Sequence, residues 1–248
     1  MRFQDASPDA RAVVYAGIQA DPLVSRCAIL LADASHAQRV LARAVMNGIS
    51  VDAATWRTIF PSLFGPRVDG AAGEAAAGAA GEAAVGAPTP AHGDDPARSE
   101  AILAASLQVA ERGEQVRSQF RGAIVEAVTE VLVRRRPEAR GPAAVRRERR
   151  ILFDGVRAEI HPYDVTVETP GAAEAIDCKW GARGIGADVL HQLDDARVHA
   201  ADEDETLTST IVVFDAERSC AVRLEQQTAP HEGTRLIALE NLDDLCRR

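Results

Sequence analysis

The sequence predicts an α/β fold in which a mixed central sheet is flanked by helices. Beyond about residue 99, short runs rich in apolar and β-branched side chains alternate with longer segments that repeat apolar residues at helical spacing. Two of the short runs are separated by a tight turn, which predicts an antiparallel hairpin, whereas a helical segment precedes the later runs. With 248 residues, the chain is long enough for one large domain or two small ones.

Residues 1–66 are predicted to form a helical N-terminal region. Apolar side chains repeat at helical spacing from Leu23 onward, Gly48 is expected to end one helix, and Asp52 can cap the next. Two helices around a glycine turn are also an arrangement found in DNA-binding proteins. Because six arginines in this region face five aspartates, its weak net charge favours dimerisation or the binding of a protein partner over the reading of DNA.

Residues 67–98 are predicted to form a flexible, disordered linker. They consist mostly of Ala, Gly, Glu, Asp and Pro, and they contain almost no large apolar side chain that could be buried in a core. The sequence is therefore divided into an N-terminal region, this linker, and an α/β domain over residues 99–248.

The α/β domain is expected to begin with a long helix that Ser99 can cap. On this helix, Glu126 lies beside the apolar stripe, and Gly122, one turn earlier, leaves room next to it. The position of Glu126 suits either a solvated glutamate or a residue of a site. Glu114 and Glu130 remain alternatives on the same helix.

Strands and helices are expected to follow in turn. They are a strand from Ile151, a strand over residues 158–168, a turn at 169–171, a strand over 173–180, a helix over about 186–200, strands over 210–214 and 236–239, and a short terminal helix.

The hairpin carries the clearest chemical pattern in the chain. Asp177 and Lys179 are two positions apart, so they share one face of their strand, while Cys178 points to the apolar face. The hairpin brings Asp164 alongside them, and paired carboxylates suit Mg²⁺, which prefers oxygen ligands. Lys179 is the single lysine among 28 basic residues, which indicates a position where a guanidinium does not substitute. The alternative is an ordinary surface ion pair.

In these residues the chain resembles the PD-(D/E)xK nuclease superfamily over about residues 99–248. Asp177-Cys178-Lys179 matches the second motif without adjustment, and Asp164 matches the first, with a tyrosine interposed after the proline. The helix with Glu126 is similar to the first helix of the family. Gln192, on the helix after the hairpin, resembles a glutamine that some members place near the site. Those members carry a tyrosine four residues later, where this chain has alanine.

The resemblance implies a restriction-endonuclease-like fold and a metal-dependent nuclease, here an endonuclease acting on DNA in defence, restriction or repair. It implies Mg²⁺, with Mn²⁺ as a substitute, held by Asp164, Asp177, Glu126 and the Cys178 carbonyl. Lys179 would orient the attacking water, and Gln192 would lie near it. The alternative function is a non-catalytic module that binds nucleic acid or protein on a nuclease-like fold.

Basic residues are concentrated between positions 134 and 150, where eight arginines face two glutamates. Residues 151–248 are acidic, with twenty acidic side chains against nine basic ones. The arginine-rich segment is therefore predicted to contact nucleic-acid phosphates. The residues assigned to this contact are Arg146, Arg147, Arg149 and Arg150. A solvated loop that balances the acidic remainder is the alternative.

The remaining composition predicts a protein of the reducing cytoplasm with no membrane partner. No apolar run reaches the ~18 residues of a membrane-spanning helix, and the N-terminus lacks the pattern of a signal peptide. The four cysteines are widely spaced, which indicates neither a zinc site nor a disulfide framework.

Overall fold

A computed structural model of the protein describes residues 1–6, 10–65, 95–137, 139, 144–153, 156–157, 161–229 and 232–247. The helices are α1 (Ala10–Gln19), α2 (Pro22–Ala32), α3 (His36–Asn47), α4 (Ala53–Ile59), α5 (Pro96–Ala110), α6 (Glu114–Val133), α7 (Ala187–Asp202) and α8 (Glu217–Glu225). The strands are β1 (Arg2–Asp5), β2 (Ala144–Phe153), β3 (Val156–Arg157), β4 (Tyr163–Thr169), β5 (Ala172–Lys179), β6 (Thr206–Val213) and β7 (Thr234–Ile237). Short 3-10 helices cover Pro61–Leu63, Ala182–Gly184 and Leu242–Cys246. Of the described helices, none is both long enough and apolar enough to cross a lipid bilayer.

The described strands form one mixed sheet in the order β1-β2-β4-β5-β6-β7, and β3 pairs with the end of β2. Antiparallel pairing joins β1, β2, β4 and β5 in sequence, and parallel pairing joins β5 to β6 and β6 to β7. Helix α7 connects β5 to β6, as a parallel pair requires. The predicted α/β class with a mixed sheet and flanking helices is confirmed.

Helices cover both faces of the sheet. On one face, buried side chains of α2, α5 and α6 form a single cluster with apolar residues such as Val165, Ile176 and Val212. On the other face, Leu190 and Leu193 of α7 pack with alternate residues of the same strands. The period-2 alternation of the strands therefore divides their side chains between two apolar layers.

Described elements of the first 65 residues share this core. Strand β1 pairs with β2, and Leu23, Val24 and Leu31 of α2 are buried in the cluster that contains α6. Arg43 of α3 reaches the end of β6, where its Nη2 lies 2.7 Å from Asp215 Oδ1. The helical character predicted for this region is present, together with a strand that the sequence pattern did not reveal. Its treatment as a separate region stays a prediction.

Helix ends follow the local sequence in part. Gly48 ends α3 and Asp52 caps α4, as predicted. The predicted cap at Ser99 is wrong, because Asp95 accepts the hydrogen bond from the Ala97 N–H and α5 begins at Pro96. Ser99 is instead buried, and its Oγ accepts from the Gln38 side chain at 3.0 Å. Of the predicted linker, residues 67–94 lie outside the described residues.

The strand predicted to start at Ile151 begins seven residues earlier, at Ala144. This part of β2 contains four arginines, so its sequence resembles that of a solvated loop. The apolar pattern therefore did not predict a strand there. In the fold, strand pairing holds these residues, since Arg147 lies opposite Val165 of β4 and Arg149 lies opposite both Tyr163 and Asp5 of β1.

A buried ion pair joins the segment just after α6 to strand β5. Arg136, just after α6, is 1% exposed; its guanidinium donates to Glu174 of β5 and to the Leu245 carbonyl. Thr210 donates to the second oxygen of Glu174 at 2.7 Å.

Arg136→Met is expected to destabilise the fold by about 3–5 kcal/mol, because it leaves the Glu174 carboxylate buried without its counter-charge. Denaturant unfolding measures the effect. The double variant Arg136→Met/Glu174→Gln removes both charges and should recover a large part of the loss. Equal stability of the single variant and the wild type would contradict this account.

Candidate functional site

The two predicted aspartates lie where the hairpin strands stop pairing. The register of β4 with β5 ends at Val165 opposite Ile176, so Asp164 and Asp177 come immediately after the last pair. The Cys178 N–H donates to Asp164 Oδ2 at 2.6 Å, across the point where the strands separate. The separation opens a polar space between two neighbouring strands.

Alternation along β5 divides its last residues as predicted. Lys179 Nζ lies 2.6 Å from Asp177 Oδ2, so these two groups share one face. Cys178 points the other way, and its Sγ lies 3.5 Å from the Thr129 hydroxyl of α6 inside the core. Gly184 passes close to the Lys179 stem, since a Cβ at that glycine would be 2.9 Å from Lys179 Cδ.

Three carboxylates from three elements converge beside Asp177. Glu126 of α6, Glu148 of β2 and Asp164 of β4 place ligand oxygens within 4.8 Å of one another, and we call them the acidic triad. Glu126 is only 4% exposed. Three carboxylates this close repel one another unless a cation or a proton lies between them.

The backbone of Glu148 has an unusual conformation for a strand residue. Its φ of 52° lies in the left-handed region, which side chains other than glycine, asparagine and aspartate rarely adopt. Arg147 and Arg149 pair with Val165 and Tyr163 of β4, so Glu148 lies across from Asp164 in the register. This backbone conformation accompanies the placement of the Glu148 carboxylate beside Glu126 and Asp164.

Helix α1 supplies hydrogen-bond donors to the acidic triad. The Tyr15 hydroxyl donates to Glu126 Oε1, and the Gln19 amide donates to Glu126 Oε2 at 2.7 Å and to Glu148 Oε1 at 3.0 Å. Gly122 leaves the space in which the phenol lies, because a Cβ there would be 3.0 Å from the Tyr15 oxygen. The room that the sequence predicted beside Glu126 is thus used by a tyrosine from another helix.

Burial and neighbouring charge change the protonation of these groups. Burial raises the pKa of Asp164 well above its ordinary value, and the charges of Asp177 and Glu126 add to the effect. Burial also raises the pKa of Glu126, although the hydrogen bonds from Tyr15 and Gln19 oppose it. The pKa of Asp177 is raised by burial against the opposing charge of Lys179. Such shifts mark a site where negative charge is held without enough compensation.

Lys179 is a cation at neutral pH. Burial acts to lower its pKa, but the negative charges of Asp177 and Asp164 outweigh that effect and raise it. The ammonium group is therefore suited to electrostatic stabilisation.

One cavity of about 530 Å³ that is open to solvent lies beside these groups, and Glu126 is the member of the acidic triad that does not line it. Its polar lining is formed by Tyr15, Glu148, His161, Asp164, Asp177, Lys179, Arg183, Asp188 and Gln192. Gln192 holds the loop before β4, because its side chain donates to the His161 carbonyl at 2.9 Å and accepts from the His161 N–H at 3.2 Å. Gln192 thus lies at the cavity and contacts the backbone of His161, while its role in the site stays a prediction.

The donor set fits a divalent cation. The acidic triad offers carboxylate oxygens, the ligands that Mg²⁺ and Mn²⁺ prefer, and the adjoining cavity leaves room for water and a phosphate group. Of the predicted ligands, Glu126 and Asp164 belong to the acidic triad. Asp177, next to Asp164 and bonded to Lys179, and the Cys178 carbonyl stay predictions as ligands.

The alternative acidic residues of α6 have other partners. Glu130 pairs with Arg134 at 2.7 Å and with Arg147 at 2.5 Å, and Glu114 pairs with Arg121 at 2.8 Å. Of the three glutamates considered, the one that joins Asp164 is Glu126.

The arginines assigned to phosphate contact have different surroundings. Arg147 pairs with Glu130, and Arg149 pairs with Asp5 and Glu168, so these two guanidinium groups have partners within the fold. Arg146 is exposed on β2 and Arg150 is half-buried. The contact of all four with nucleic acid stays a prediction.

Sequence reasoning missed Glu148, Tyr15 and Gln19. Glu148 had one local signal, since it is the single acidic residue inside Arg146–Arg150. Tyr15 and Gln19 are four residues apart on one helix face, but nothing in their neighbourhood connects them to Glu126.

Comparison of the chain with protein-family models, with curated proteins and with solved structures finds no match.

Proposed function

We propose that this protein is a divalent-metal-dependent phosphodiesterase of the PD-(D/E)xK type, with a restriction-endonuclease-like fold, acting as an endonuclease on DNA. One observation carries the proposal: Glu148 and Asp164 of the acidic triad line the same open cavity as the Asp177–Lys179 pair, and Glu126 is buried within ligand distance of both. Carboxylates without a cation would make this surface repel a phosphate group. A divalent cation and Lys179 would supply positive groups that a phosphate can contact directly.

Each residue of the site has a role in this proposal. Glu126, Glu148 and Asp164 would hold Mg²⁺ or Mn²⁺, and Asp177 would orient Lys179. The Lys179 ammonium would stabilise negative charge on the phosphate and direct the attacking water. A bound divalent cation supplies positive charge to the phosphate and lowers the pKa of a neighbouring water.

The arginines of β2 support nucleic acid as the substrate. Arg146 is exposed and Arg150 is half-buried on the strand that also carries Glu148, so cationic side chains flank the acidic triad along one element. Phosphate contacts of this kind position a duplex without reading its sequence. The predicted role in defence, restriction or repair is part of the same proposal.

The test is incubation of the purified protein with single- and double-stranded DNA and RNA, each with Mg²⁺, Mn²⁺ or EDTA. We expect internal cleavage of DNA that requires the divalent cation and is lost in Asp164→Asn. Asp195→Asn, the same change on the exposed face of α7, is the matched control and should cleave like the wild type. Retention of DNA without cleavage under every condition would support a non-catalytic binding module instead.

A further inference from the structure

We propose that helix α1 completes the metal site, with Tyr15 and Gln19 as positioning residues that hold Glu126 and Glu148 in the orientation of ligands. The inference rests on the proposed function, because it concerns the same site. It assigns a role to the N-terminal segment that the motifs of the hairpin do not contain.

Helix α1 donates a separate hydrogen bond to each carboxylate oxygen of Glu126. Tyr15 and Gln19 are one turn apart, so both point from one face of α1. Tyr15 donates to one oxygen of Glu126, and Gln19 donates to the other. With both oxygens engaged, the plane of the Glu126 carboxylate is fixed. Each carboxylate oxygen has two lone pairs, so each keeps one that can face a cation.

Gln19 also connects two elements that carry ligands. Its amide nitrogen has two hydrogens, and it lies 2.7 Å from Glu126 Oε2 and 3.0 Å from Glu148 Oε1. Glu126 belongs to α6 and Glu148 to β2, so this one amide sets the separation of two carboxylates that would otherwise repel each other. The residue that follows β1 also contacts Glu148, because the Ala6 N–H donates to the Glu148 carbonyl at 2.9 Å.

The chemical nature of the donors favours a metal-binding role over a purely structural one. Elsewhere in this fold, carboxylates near α6 are paired with arginine, as Glu130 is with Arg147. A guanidinium beside Glu126 would cancel the charge that attracts a cation. Tyrosine and glutamine are neutral, so they orient the acidic triad and leave its negative charge available.

Gly122 adds an independent observation. Its missing side chain accommodates the Tyr15 hydroxyl on the surface of α6, although glycine costs about 1 kcal/mol relative to alanine inside a helix. Gly122→Ala should therefore favour α6 itself while it pushes the phenol away from Glu126. A change on α6 can in this way test a role of α1 without altering α1.

The experiment measures Mn²⁺ affinity of the full-length protein by electron paramagnetic resonance, together with unfolding in EDTA. Gln19→Met keeps the length of the side chain and removes the donor. We expect its Mn²⁺ dissociation constant to rise on the order of 10- to 100-fold, the size of effect known for groups that orient metal ligands. Tyr15→Phe and Gly122→Ala should each raise it in the same direction. Gln108→Met, the same substitution on the exposed face of α5, should bind Mn²⁺ like the wild type.

The outcomes separate this inference from the proposed function. If the wild type binds Mn²⁺ and all three variants bind it equally well, α1 does not position the ligands, and the inference is overturned while the metal site stands. Lower stability in EDTA with unchanged Mn²⁺ affinity would overturn it too, since that is the result of a structural tie alone. If the wild type binds no Mn²⁺, both the inference and the proposed function fail. Should Gln19→Met not fold, Gly122→Ala decides.

Discussion

Lys179→Ala is expected to slow DNA cleavage on the order of 10²-fold or more while metal and DNA binding remain largely intact. The ammonium is the cation that lies beside Asp177 in the cavity, and losing one electrostatic stabiliser of a transition state has an effect of this size. Single-turnover rates at saturating Mn²⁺ measure the chemical step, and DNA retention measures binding. Arg218→Ala removes a cation from the exposed surface of α8 and is the control.

Lys179→Arg tests whether charge alone is sufficient. A guanidinium is planar and needs more width than an ammonium, and the Lys179 stem runs close against Gly184. We therefore expect slow cleavage in this variant as well. Asp177→Asn should abolish cleavage at ordinary Mg²⁺, because it removes the charge that holds the lysine and also a carboxylate predicted as a metal ligand. Cleavage by Lys179→Arg at the rate of the wild type would contradict the inference drawn from the single lysine.

A fragment that begins at Asp95 is expected not to fold by itself. It would lack α2, whose Leu23, Val24 and Leu31 are almost fully buried against α6 and its neighbours. Each such side chain contributes about 1.5–3 kcal/mol, while a whole domain has a net stability of only about 5–15 kcal/mol. Circular dichroism melting should show no cooperative transition. This expectation is the reverse of the one that the composition of residues 67–98 suggests, namely an independent C-terminal domain.

An internal deletion provides the matched control. Gly65 and Pro96 lie next to each other, since a Cβ at Gly65 would be 3.7 Å from Pro96 Cγ. A loop of about four residues can therefore replace positions 66–94 without separating the helices on either side. That variant should melt cooperatively near the temperature of the wild type. A stable fragment from Asp95, or an unfolded internal deletion, would contradict the shared core.

The hairpin could be predicted from the sequence because its signals are local. Alternation places Asp177 with Lys179 and turns Cys178 inward, and the turn after Thr169 sets the pairing of β4 with β5. The class of fold could also be predicted, because strand patterns alternate with helical ones along the chain. In particular, β6 follows a helix, as a parallel connection requires. Glu126 was chosen through the resemblance of its helix to the first helix of the family, and it does join Asp164 in space.

The rest of the site was beyond local pattern. Glu148 sits among arginines in a strand that resembles a loop, and its left-handed backbone breaks the alternation that would have indicated its face. Strand β1 has only four residues, too few for a periodic signal. Tyr15 and Gln19 reach the site through the docking of α1 on α6, and tertiary packing of this kind leaves no trace in the spacing of nearby residues.

The residues that meet at the acidic triad are far apart along the chain, and this separation affects the rate at which the site forms. Tyr15 and Glu126 are 111 positions apart, and Gln19 and Glu148 are 129 apart. Contacts between such distant residues form slowly, because the entropy lost in closing a long loop must be overcome before they stabilise anything. During synthesis, α1 leaves the ribosome long before β2 and β4 exist. A nascent chain therefore has no assembled acidic triad, and the proposed metal site would form only as a late event of folding, once both halves of the polypeptide have met.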